Sequence, residues 1–272
     1  MTDIPPTPIT HLSETEAVMK EAVSKFANDV VLPRARDMDE AEAMDPALVE
    51  QLFEQGLMGI EIPEDFGGAG MTFTSAIVAI EELARADPSV SVLVDVHNTL
   101  VNTAVFRHGS ADIKKRYLPR LATNTVGSFC LSEPVSGSDA FALATRATEL
   151  PGGAGGYRLN GGKMWITNSM EADFFIVFAN VDPSKGHRGI TAFIVEKGTP
   201  GFSIAKKEKK LGIRASSTCV INLDDVEVPR ENILGEIGQG YKIAIGILNE
   251  GRIGIAAQMT GLALGAFENA AK

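Results

Sequence analysis

A chain of 272 residues with 44% hydrophobic and 22% charged side chains has room for a sizeable core in one or two domains and the composition of an ordinary globular protein. Its net charge of −10 argues against a phosphate-backbone partner, so nucleic acid is not the expected ligand. The two cysteines, Cys130 and Cys219, stand far apart with no CxxC; this gives neither a metal framework nor a disulfide scaffold, and favours a reducing compartment.

Residues 1–10 are rich in Pro and Thr and carry Asp3; they lack the features of a signal or transit peptide. From Ser13 the pattern is helical. Ser13 and Glu16 form a capping box, and Val18, Ala22, Phe26 and Val30 recur as a stripe expected to end near Pro33. Further helices are expected over 45–55 (stopped by Gly56), 74–86, 89–106 and 111–121, with a loop at 62–70. Residues 1–122 therefore read as an all-helical domain.

From Val126 the period changes to two. Short β-branched and aromatic segments at 126–131, 141–148, 157–160, 163–167, 174–179, 190–195, 202–205 and 218–228 predict an antiparallel β-barrel or sandwich over 123–233, a β-barrel domain being the expectation carried forward. The glycine-rich run at 151–156 reads as a hairpin tip: it lacks the Lys-Ser/Thr ending of a phosphate loop, and no helix follows it. After Pro229 a Gly-Gln-Gly entry at 238–240 leads into an apolar helix. It is apolar on both faces and so expected to be buried all round, while Gly261 and Gly265 would allow close approach of another helix. The uncharged part after Arg252 is too short to span a bilayer. Residues 234–272 are expected to be the first helix of a C-terminal bundle, cut off midway. The fold class is thus α+β.

The stretch with chemical character is Phe129-Cys130-Leu131-Ser132-Glu133-Pro134-Val135-Ser136-Gly137-Ser138-Asp139. A strand breaks at Glu-Pro into a turn of Ser, Gly and Asp, which offers backbone N–H groups and hydroxyls suited to a flat, electron-poor ring or a pyrophosphate.

That stretch, together with PEDFGG at 63–68, NGGKMWITN at 160–168, LGIRASST at 211–218 and LNEGRIGIAAQ at 248–258, resembles the acyl-CoA dehydrogenase family, most closely its short/branched-chain branch. The resemblance covers about Ser13 to Lys272. It implies FAD lying against the β domain, with Phe129, Cys130, Leu131, Ser132, Glu133, Pro134 and Ser138 at its pyrimidine edge. Trp165, Ile166 and Thr167 would cover the other side near N5. It implies acyl-CoA contacts from Ser138, His187, Tyr241, Asn249, Glu250, Gly251 and Arg252, with Arg252 reaching a phosphate or the adenine of CoA. Gly251, having no side chain, would leave room at the acyl end. No metal ligands are expected. The basic run 206–210 reads as a solvated edge.

The implied activity is α,β-dehydrogenation of a short or branched acyl-CoA: a carboxylate takes the α-proton, hydride leaves Cβ for the flavin, and an electron-transferring flavoprotein accepts the electrons. The base is expected beyond Lys272. Glu250 is the candidate within the chain, but one residue from Gly251 on a helix is a rotation of about 100°, which turns it to another face. The resemblance further implies a homo-oligomer, a tetramer in relatives, in a mitochondrial matrix or bacterial cytoplasm. Two other readings are a catalytically impaired product that binds flavin, acyl-CoA or other subunits, and an acyl-CoA oxidase.

Overall fold

The computed structural model describes residues 11–140, 142–151 and 155–272. The segment 1–10, Phe141 at the head of the 141–148 strand, and 152–154 in the glycine-rich tip lie outside the described residues.

Ser13 caps α1 (Glu14–Phe26) with both capping-box bonds, Glu16 N–H to Ser13 Oγ at 3.3 Å and Ser13 N–H to Glu16 Oε2 at 2.9 Å. The buried stripe is shifted from the expected one. Val23, Ala27 and Val31 face the core, whereas Val18 is 63% exposed. The helix also does not stop at Pro33: a π-helical turn, Ala27–Val31, runs into α2 (Leu32–Ala41). Pro33 falls in the first turn of α2, where a missing N–H is best tolerated. Asp45 caps α3 (Pro46–Glu54), Thr72 caps α4 (Phe73–Ala86), and Asp87 caps α5 (Pro88–Asp95). A second π-helical stretch, Val96–Asn102, joins α5 to α6 (Thr103–His108), and α7 (Ala111–Thr123) follows. Their apolar faces meet in a core that includes Leu48, Leu52, Met58, Leu83 and Leu93.

Among the described residues eight strands follow: β1 (Gly127–Cys130), β2 (Arg146–Glu149), β3 (Gly156–Thr167), β4 (Phe174–Asn180), β5 (Ile190–Glu196), β6 (Phe202–Lys207), β7 (Thr218–Pro229) and β8 (Ile233–Leu234). Their order is β6-β7-β3-β2-β4-β5-β8, with β1 also on β4. Two expectations are corrected. The sheet is open rather than a closed barrel, and it is mixed: β1 and β2 both run parallel to β4. Between β1 and β4 the chain crosses over through a long loop and the β2–β3 hairpin, the length of connection that parallel pairing requires. The two segments expected at 157–160 and 163–167 are one strand, β3, interrupted by register shifts against β7.

His97 ties the helices to the sheet. Gly127 N–H donates to His97 Nδ1 at 3.0 Å, which leaves the proton on Nε2 to reach the Leu121 carbonyl at 2.9 Å. Burial holds the ring neutral, with its pKa pushed down to about 4.

The chain closes with α8 (Gly240–Ala271), a 32-residue helix. Its glycines do what their spacing suggested: a Cβ on Gly261 would stand 2.1 Å from the Glu81 carbonyl oxygen, and one on Gly265 would stand 2.3 Å from that of Arg85, so α8 lies directly on α4. The expectation of burial all round is corrected. One stripe is covered, while Ile253, Ile255, Met259 and Phe267 on other faces are exposed. Among the described residues no helix is long and apolar enough to cross a membrane.

Candidate functional site

β1 and the end of β3 deliver the two stretches with chemical character to the same place. β1 exits at Cys130 into the serine turn, whose tight bend is closed by Glu133 N–H to the Ser136 carbonyl at 2.9 Å and the reverse bond at 3.1 Å. Met164 N–H of β3 reaches the Ser132 carbonyl at 2.9 Å, and Ser128 Oγ–H reaches the Thr167 carbonyl at 2.5 Å. The turn and Trp165-Ile166-Thr167 are thereby stitched side by side.

Trp165 is presented by a β-bulge. Three steps along β3, from Lys163 to Ile166, match two along β7, from Ile221 to Cys219. Trp165 takes a left-handed backbone with φ 58°, a conformation an aromatic residue adopts only under constraint. Bulges re-aim side chains beside binding sites, and here the result is an indole 61% exposed.

Between these elements and the helices lies a cleft of about 310 Å³. Phe129, Leu131, Ser132, Gly137, Ser138 and Ala140 line it from β1 and the turn; Trp165, Ile166 and Thr167 line it from β3. Val96 and Leu100 form the helical wall, and Ile245, Leu248 and Arg252 come from α8. Larger openings exist, about 710 Å³ beside Phe53 and Glu171 and about 780 Å³ beside Arg116 and Arg230, but neither gathers the motif residues. The cleft has apolar walls, hydroxyls on one rim and one guanidinium, the character of a pocket for a largely apolar ligand with a few fixed polar ends. An exposed indole beside serine hydroxyls fits a flat aromatic ring system. Among the described residues, no carboxylate lines the cleft.

The structure brings together Phe129, Leu131, Ser132, Ser138, Trp165, Ile166, Thr167 and Arg252, and sets the other candidate residues elsewhere. The side chain of Cys130, at the end of β1, is fully buried, and burial pushes its thiol up to about 12. Glu133 is turned away from the cleft: its carboxylate is buried and accepts from Lys163 Nζ at 2.6 Å. Pro134 is exposed on the turn. His187 and Tyr241 meet edge to face with ring centroids 5.4 Å apart, at the start of α8. Asn249 accepts from Arg252 Nη1 at 2.5 Å and so fixes the guanidinium at the cleft edge. Glu250 pairs with Arg107 on the opposite flank of α8. Gly251 does not open space at the cleft, because Leu100 fills what its missing side chain leaves.

Sequence reasoning missed the helical wall and the Lys163–Glu133 pair. Val96 and Leu100, and Ile245 and Leu248, stand one helical turn apart, which was a visible signal for a shared face. Nothing in the sequence singled out Lys163 beyond its place in NGGKMWITN.

Comparison with known proteins agrees with this architecture. Residues 13–125 match the acyl-CoA dehydrogenase N-terminal domain, and residues 128–226 match the acyl-CoA dehydrogenase middle domain. A probable short/branched chain specific acyl-CoA dehydrogenase of Dictyostelium discoideum is 60% identical over 262 residues, spanning 96% of this chain and 63% of its own length. The chain thus spans less than two thirds of that relative. The solved structure of butyryl-CoA dehydrogenase from Megasphaera elsdenii superimposes with a TM-score of 0.92 at 39% identity, over 96% of this chain and 69% of that one. A glutaryl-CoA dehydrogenase from Mycobacterium smegmatis, solved in complex with FADH2, superimposes with a TM-score of 0.86 at 32% identity, over 94% of this chain and 64% of that one. The arrangement of helices, sheet and cleft, and the relatives that share it, place this chain in the acyl-CoA dehydrogenase family.

Proposed function

We propose that this chain is the flavin-facing part of an enzyme that introduces an α,β double bond into short or branched acyl-CoA thioesters. The observation that carries the reading is the cleft itself, which joins residues from 129–140 and 165–167 to a guanidinium on α8. When bound, FAD supplies the hydride acceptor. The Ser132 amide and hydroxyl hold the ring's polar edge, and the exposed Trp165 indole covers a face. Thr167 offers a hydroxyl donor beside it. Ser138 and Arg252 take the polar arm and a phosphate of CoA, where a planar cation that stays charged is useful. Val96, Leu100, Ile245 and Leu248 keep water from the acyl end, which strengthens every hydrogen bond made there. His187 and Tyr241 extend the contact surface along the start of α8.

Two observations support a proton-abstracting carboxylate that comes from outside residues 1–272. No carboxylate lines the cleft among the described residues, and Glu250 is held by Arg107 on the far flank of α8. Homo-oligomer formation and electron delivery to an electron-transferring flavoprotein belong to the same proposal, as does a mitochondrial or bacterial setting.

The test is the flavin absorbance of the FAD-loaded chain before and after anaerobic addition of 2-methylbutyryl-CoA. A shifted band without bleaching is expected, showing a bound thioester and no base. Full bleaching, with dye reduction near that of a complete relative, would promote Glu250. A chain that takes up neither FAD nor acyl-CoA would contradict the proposal.

A further inference from the structure

Lys163 lies on β3 opposite Ile221 of β7, with its side chain at 0% exposure and that of Glu133 at 1%. Its ammonium donates to Glu133 Oε1 at 2.6 Å and to the Leu131 carbonyl at 3.2 Å. Glu133 also accepts from the Ala144 amide at 2.6 Å and the Thr145 amide at 3.2 Å. One carboxylate thus gathers both ends of the loop that carries the serine turn, and one ammonium anchors it from below. Trp165 stands two residues along β3 from that ammonium.

A buried ion pair is not the economical way to hold a loop, since an apolar pair of similar volume often serves stability as well or better. What an apolar pair could not do is take a carbonyl. No cis peptide is present among the described residues. In a trans peptide the C=O of one residue and the N–H of the next point in opposite directions. With the Leu131 carbonyl turned inward onto Lys163, the Ser132 N–H is turned outward, to the side on which Ser132 lines the cleft. Without the ammonium, the Leu131 oxygen would be left unpaired in the interior, and the peptide would turn to find a donor.

We propose that Lys163, charge-balanced by Glu133, is the positioning residue of the cleft: it aims the Ser132 amide at the ligand and sets the gap between the serine turn and Trp165. Only the identity of the ligand, a flat ring with an electron-rich acceptor edge, rests on the flavin reading; the positioning rests on the geometry. Burial pushes the Lys163 ammonium below its usual value, against the pull of Glu133, and the 2.6 Å contact is that of a charge-assisted hydrogen bond. Burial acts to raise the Glu133 carboxyl, but Lys163 and the loop's hydrogen bonds outweigh it and hold that carboxyl below its usual value.

The test uses the whole chain in four forms. The double variant Lys163→Met/Glu133→Gln removes the ammonium without stranding a buried charge, and Gln still accepts from the Ala144 and Thr145 amides. Glu133→Gln alone leaves Lys163 on Leu131. Ile221→Ala is the control for lost stability, and the wild type is the reference. Three quantities are read: Trp165 emission, exchange of the Met164 amide (bonded to the Ser132 carbonyl), and FAD affinity.

The double variant is expected to unfold cooperatively, with a shifted Trp165 emission maximum and Met164 exchange faster than in the control. Its FAD affinity should fall several-fold, up to about tenfold, the scale of one neutral hydrogen bond. Glu133→Gln should stay close to wild type in emission. A double variant that matches Ile221→Ala in all three readings overturns the proposal. So does a Glu133→Gln chain that loses as much as the double variant, since the turn would then be lost with Lys163 still in place to take the Leu131 carbonyl. If the wild-type chain takes up no FAD, the flavin reading fails, and emission and exchange decide the positioning without it.

Discussion

A Cβ built on Gly251 would stand 2.6 Å from Leu100 Cδ2, closer than real side chains approach. Leu100 lines the cleft and Gly251 lies behind it, so residue 251 acts on the cleft through Leu100. A larger residue at 251 must push Leu100 forward. Gly251→Thr should therefore cost about 1–3 kcal/mol of stability as overpacking. It should also weaken 2-methylbutyryl-CoA binding more than butyryl-CoA binding, by about tenfold, within the range that one methylene commands. Adding Leu100→Ala should restore the branched ligand. Calorimetric titration of both thioesters into the wild type and the two variants checks this, and equal losses for the two ligands would count against it.

The glycines of α8 divide by what faces them. A methyl on Gly261 meets the Glu81 carbonyl oxygen at 2.1 Å, and backbone cannot swing aside as a side chain can. A methyl on Gly246 has nothing within 4 Å. Gly261→Ala should destabilise by about 1–3 kcal/mol or more, and Gly246→Ala should stabilise by up to about 1 kcal/mol through helix propensity. Urea unfolding of the two variants should give shifts of opposite sign.

These positions mark where the sequence was legible. The capping box at Ser13 and the Gly261/Gly265 spacing are local patterns, and each stands in the structure as read. Seven of the eight strands were foreseen as apolar runs; β8, only two residues long, carries too little pattern to read. Pairing was not legible, because parallel β1·β4 contacts depend on where the crossover lies rather than on composition. The motif residues of the cleft were readable through their family resemblance, but their side-chain directions were not. Trp165 is exposed because a bulge with positive φ re-aims it, and Glu133 is buried because Lys163 lies across the strand. Both facts depend on neighbours distant in sequence.

Two buried groups give stability opposite dependences on pH. Burial raises Asp95 to about 7 from an ordinary 3.8, against the hydrogen bond it accepts from Thr99. Between those values the folded chain keeps a proton that the unfolded chain has lost, so stability falls as pH rises through the window, by at most about 4 kcal/mol. His97 runs the other way. Burial lowers it to about 4 from 6.5, so the unfolded chain binds a proton that the folded chain refuses. Its contribution falls as pH drops through that range, by about 3 kcal/mol at most.

In the wild type the two slopes oppose. Burial likewise raises Glu61 to about 7 from 4.5, so it adds to the Asp95 slope. Asp95→Asn should therefore shift the slope of stability against pH between about 4.5 and 6.5 upward from that of the wild type, and His97→Gln, whose amide can accept from Gly127 and donate to Leu121, should shift it downward. Chemical denaturation at several pH values compares the two with the wild type, and shifts in the same direction would refute the assignment.

Trp165 is the chain's single tryptophan, so its emission reports on the cleft without interference. The central claim is that a flavin ring rests against that indole and the serine turn. Titrating FAD into the purified chain should quench Trp165 emission in a saturable way, with the flavin's own fluorescence falling in step, and AMP should leave both signals unchanged. Emission that stays constant while FAD rises to millimolar concentration would contradict the account.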